Sequence, residues 1–80
     1  MTGKKTFEMC VAEILKYEEK NFFEPKYLFI SPVTYKHLKD YVMKQGMFCI
    51  ARELGHSTEY FRGPEIIVCD IEDDEIIVGG

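Results

Sequence analysis

The sequence predicts an α+β fold, two main helices packed on a small β-sheet, within one domain spanning residues 1–80. Three observations predict it. Apolar residues recur at helical spacing through 6–20, a Ser-Pro step opens a second helical period at 32, and two β-branched runs, EIIVCD and EIIV, end the chain.

The first helix is expected over Thr6–Lys20. Phe7, Cys10, Val11, Ile14 and Leu15 fall at i, i+3, i+4, i+7 and i+8 and form one apolar stripe, while Glu13, Lys16, Glu19 and Lys20 form the wet face. Thr6 is suited to cap its first turn, and Asn21 followed by Pro25 ends it. Tyr27–Ile30 is a short apolar run with the look of a buried strand. The second helix is expected over Pro32–Gln45, with Ser31 as N-cap, Pro32 as the first helical residue and Gly46 as the left-handed residue that stops it. Thr34, Leu38, Tyr41 and Val42 share its inner side, with Tyr35 beside them. MFCIA reads as extended and RELGHSTEYFRGP as a turn-rich connection. Strands are expected at Ile66–Cys69 and Glu75–Val78, with the polar IEDD as a hairpin tip between them.

Composition excludes several classes. At 46% hydrophobic and 30% charged the chain is globular in character. Residues 65–80 carry six acids and no base, whereas residues 1–64 carry ten bases against eight acids, so no basic stripe offers itself to nucleic acid. No apolar run is long enough to cross a membrane, and Lys4 and Lys5 lead into an amphipathic stretch, not the apolar core of a signal peptide. Cys10, Cys49 and Cys69 each sit among apolar neighbours and follow no metal-ligand spacing. They are expected to be reduced, buried and unpaired, as in a cytoplasm.

The acids of DIEDDE lack the glycine and spacing of a calcium loop, and Cys49 with His37 or His56 lacks room for a pocket and a third orienting residue. No catalytic, cofactor or metal site is expected, and the chain does not read as an enzyme. The terminal Gly79-Gly80 matches the tail of ubiquitin-like sulfur carriers, whose carboxyl end is adenylated. Those proteins begin with a β-hairpin, however, and this chain is expected to begin with a helix.

Four segments carry a resemblance. Phe29-Ile30-Ser31-Pro32, Leu38-Lys39-Asp40 with Gly46, Phe61-Arg62-Gly63-Pro64-Glu65-Ile66-Ile67-Val68, and Ile76-Ile77-Val78-Gly79 together resemble the axial domain of tailed-bacteriophage major capsid proteins. Glu65 stands where an apolar residue is common in that family, and the spine helix, extended loop and N-terminal arm that tile a shell are missing. The resemblance implies a phage- or prophage-type module, stand-alone or excised, that acts by protein–protein contact in virion structure or capsid assembly. Its partner would be another copy or a capsid protein, in the host cytoplasm or the virion. Phe22, Phe23, Tyr27, Tyr60 and Phe61 flank the ordered elements and are the candidate contact residues. The alternatives are a diglycine-tailed carrier and a small phage effector that binds a host protein.

Overall fold

The computed structural model describes residues 3–46, 50–52 and 59–80. The expectations for Cys49 and His56 lie outside these. In chain order the elements are α1 (Gly3–Asn21), β1 (Tyr27–Ile30), α2 (Pro32–Lys44), β2 (Ile50–Arg52), β3 (Glu59–Phe61), β4 (Glu65–Val68) and β5 (Ile77–Gly79). The fold is α+β, as the sequence predicts.

Both helices form for local reasons that the sequence carries. Ser31 caps α2: its Oγ accepts the Thr34 N–H at 3.1 Å, and Pro32 follows with no amide hydrogen left to satisfy. Gly46, at φ +65°, ends that helix. The buried edge of α2 is Thr34, Leu38 and Val42, with Tyr35 packed beside the core. In α1 the buried edge is Thr6, Cys10 and Ile14, which rotates the expected stripe. Leu15 lies far enough round the helix to be 56% exposed, and Thr6, fully buried in the first turn, does not cap a helix that already starts at Gly3.

The described strands form one mixed sheet in the order β2-β3-β4-β1-β5. β1 is an interior strand, parallel to β4 and antiparallel to the edge strand β5. The last two strands are therefore not a hairpin. They flank β1 on opposite sides, and residues 69–76 cross over its end. Glu75 belongs to that crossover, where its N–H donates to the Glu72 carbonyl at 3.0 Å, which is why β5 starts two residues later than expected. A tight hairpin instead joins β3 and β4. Its two-residue turn is Arg62 (φ 53°) and Gly63 (φ 126°), closed by the Phe61 N–H donating to the Pro64 carbonyl at 2.8 Å. Two successive left-handed residues match the right-handed twist of the strands they join.

Both helices pack on one face of this sheet. Leu28, Ile30, Phe61 and Ile66 from the strands meet Cys10, Ile14, Leu38 and Val42 from the helices in a single core. Phe61 is fully buried there, its ring edge-on to Phe7 at 5.8 Å between centroids. That removes Phe61 from the candidate contact residues. It sits on the inward-facing side of a strand that was hidden among turn residues.

Candidate functional site

Side chains alternate across a strand, so burial of Leu28, Ile30, Phe61 and Ile66 puts their neighbours on the opposite face. The strand register arranges these neighbours in two transverse rows. Tyr60 stands opposite Glu65, Glu65 opposite Tyr27, and Tyr27 opposite Gly79. In the next row Ile67 stands opposite Phe29, and Phe29 opposite Ile77. The Tyr27 and Phe29 rings lie 6.0 Å apart. No helix among the described residues covers this face, and Tyr27 and Ile77 are 39% and 43% exposed. A surface with three aromatics and two isoleucines around a single carboxylate is more apolar than solvent alone requires.

Of the sequence-derived candidates, Tyr27 and Tyr60 belong to this face, while Phe29, Ile67 and Ile77 were missed. Period-2 alternation within each strand could have singled them out, but YLFI and EIIV are nearly continuous apolar runs that do not declare which side is bare.

Phe22 and Phe23 lie at the C-terminal end of α1. Phe22 closes the helix, its N–H donating to the Glu18 carbonyl at 2.8 Å, and does so in the left-handed conformation, φ 61°. Its ring is 91% exposed. Phe23 is anchored by an edge-on contact with Tyr17, 5.7 Å between centroids. Glu18, Phe22, Phe23 and Glu24 line an open cleft of about 310 Å³. The chain's last residues run close by. Lys26 N–H donates to the Gly79 carbonyl at 2.9 Å, and a Cβ on Gly80 would fall 2.8 Å from the Tyr17 hydroxyl and 3.6 Å from the Phe23 ring. The diglycine is thus held between sheet and helix, with Gly79 a strand residue.

Two polar networks tie the layers together. The Ser31 hydroxyl donates to Thr34 Oγ1 at 2.9 Å, and the Thr34 hydroxyl donates onward to the Asp73 carbonyl. This anchors the acidic crossover to the start of α2. On the far side, the Tyr35 hydroxyl donates to a Glu59 carboxylate oxygen and accepts from Lys39 Nζ at 3.1 Å, while Lys39 lies 3.6 Å from the second Glu59 oxygen. The bond to Tyr35, reinforced by the charge of Glu59, holds the Lys39 ammonium above the usual lysine range.

Cys10 and Cys69 are free thiols, and burial pushes the Cys10 thiol up to about 12, so it stays protonated and unreactive at neutral pH. Cys69 is only half-buried, less enclosed than expected. His37 lines a shallow cleft with Gly3, Asp40, Tyr41 and Lys44. Among the described residues no three His, Cys, Asp or Glu side chains converge as a metal ion would require, and no helix is long and apolar enough to cross a membrane. No protein-family model, curated protein or solved structure matches this chain.

Proposed function

We propose that this protein is a non-catalytic phage- or prophage-type module that works by protein–protein contact, in virion structure or capsid assembly, through the bare face of its sheet. The observation that carries this reading is the pair of apolar rows, Tyr60–Glu65–Tyr27–Gly79 and Ile67–Phe29–Ile77, opposite the face on which both helices pack. Buried apolar area is the principal driving force for association, and aromatic residues at the centre of a patch contribute most of it. The resemblance to a capsid axial domain supports the viral setting. Its four matching segments fall at the β1–α2 junction, within α2 and at the glycine that follows it, at the β3–β4 turn with β4, and in the residues leading into and through β5. The partner is a second copy or a capsid protein presenting a complementary apolar surface.

Sedimentation velocity over a wide concentration range, alone and with purified shells of a tailed phage, tests the reading. The wild-type chain should self-associate or co-sediment, and the double variant Tyr27→Ser, Ile77→Lys should do neither while keeping its circular dichroism. Both positions are exposed, so the substitutions leave the core intact. A wild-type chain that stays monomeric and ignores the shells would refute it.

A further inference from the structure

Phe22 is out of place on stability grounds. A residue in the left-handed region that closes a helix is usually glycine or asparagine, because a Cβ there meets the backbone. Phenylalanine is a poor choice, and its ring gains nothing in return, being 91% exposed and covering no core. A bulky side chain held in a disfavoured conformation and left in water is kept for something outside the fold. Beside it stands Phe23, 58% exposed and braced by Tyr17. The cleft between them has Glu18 and Glu24 on its rim and, among the described residues, no basic side chain in its lining. Lys16 and Lys20 line a different groove of α1, together with Val78 of β5. The C-terminal end of α1 adds the negative pole of the helix dipole.

We propose that the Phe22–Phe23 cleft receives a lysine or arginine side chain of a partner protein. A cation set over an aromatic face gains from the ring quadrupole, and two carboxylates can pair with its N–H groups. The same charges turn away phosphate, whether of nucleic acid or of anionic lipid. The cleft is open to solvent, and its volume of about 310 Å³ is enough for one long side chain. The partner therefore approaches the end of α1 with one basic residue extended.

This inference rests on the reading of the protein as a contact module, yet the two fail separately. A short probe peptide needs no self-association, and the sheet-face substitutions leave Glu18, Phe22, Phe23 and Glu24 in place. The full-length ¹⁵N-labelled chain is titrated with the tripeptide acetyl-Gly-Arg-Gly-amide and with its uncharged citrulline counterpart. Amide shifts should centre on residues 18–24 and weaken about fivefold or more with citrulline. The double variant Glu18→Gln, Glu24→Gln should bind the arginine tripeptide about fivefold more weakly with its melting temperature unchanged. Phe22→Gly should also bind more weakly, yet melt at a higher temperature than wild type. Displacement of self-associated protein by the tripeptide would make the basic residue one of the chain's own. Equal binding of the citrulline peptide, shifts centred on the acids of residues 70–75, or a lowered melting temperature in Phe22→Gly would each overturn the proposal.

Discussion

Cys10 shows how one side chain links burial to the conditions the fold tolerates. It is fully buried against Ile14 and the strand core, and its thiol is raised from 9.0 to about 12 because a thiolate there would lose its water. A raised pKa on an acid means that the folded state holds its proton longer than the unfolded state. Below about pH 9 this makes no difference. Between pH 9 and 12 the unfolded chain releases the proton and the folded one does not, so stability falls by about 1.4 kcal/mol per pH unit. Urea melts at rising pH should show this slope in wild type and a shallower one in Cys10→Ala. The difference between the two curves isolates the thiol from the lysines and tyrosines that titrate in the same window. Parallel curves would mean that Cys10 is not sealed from solvent. The reading of Cys10 as an inert core residue was available from its neighbours in the sequence. That of Phe61 was not, because its burial depends on a strand pairing 11 residues away along β2 and on the β3–β4 turn.

At the scale of elements, what was legible was what is local. Ser31-Pro32 specifies the start of α2 within three residues, and helical spacing gives both helix faces to within one position of rotation. The strands were less legible because their partners are distant. β3 is three residues, Glu59–Phe61, in a stretch dominated by turn formers. Placement of β4 and β5 on either side of β1, instead of against each other, depends on the length and anchoring of the crossover between them. The anchor is the chain of hydroxyls from Ser31 through Thr34 to the Asp73 carbonyl. Ser31→Ala deletes the acceptor for the Thr34 N–H and the donor to Thr34 Oγ1 together, both in a buried setting. It should cost about 1–2 kcal/mol. It should also speed amide hydrogen exchange at both ends of the anchor, in the first turn of α2 and in residues 72–75. Exchange unchanged in the crossover would show that other contacts hold it.

At the scale of the whole molecule, the two layers leave one sheet face without a helix among the described residues and bring the end of the described chain into the sheet. The second feature bears on the carrier alternative. A carrier's diglycine must enter another enzyme's active site, whereas here Gly79 pairs with Tyr27, its carbonyl accepts from Lys26, and Gly80 approaches Tyr17 and Phe23. Freeing the tail would break the Lys26 hydrogen bond and peel back an edge strand of three residues. Removing Gly79 and Gly80 should therefore lower stability modestly, by about 0.5–1.5 kcal/mol for the bond lost. Association through the apolar rows should survive, because neither glycine supplies a side chain to them. A carrier makes the opposite forecast: the fold is indifferent to the deletion and the chemistry depends on it. Intact mass spectrometry after incubation with cell extract and ATP separates the two, since adenylation or thiocarboxylate formation changes the mass of the full chain and not of the shortened one. We expect no ATP-dependent mass change in either, together with a small loss of stability in the shortened chain. A mass change confined to the full chain would mean that β5 opens to release its last two residues, and the protein would then have to be read as a carrier.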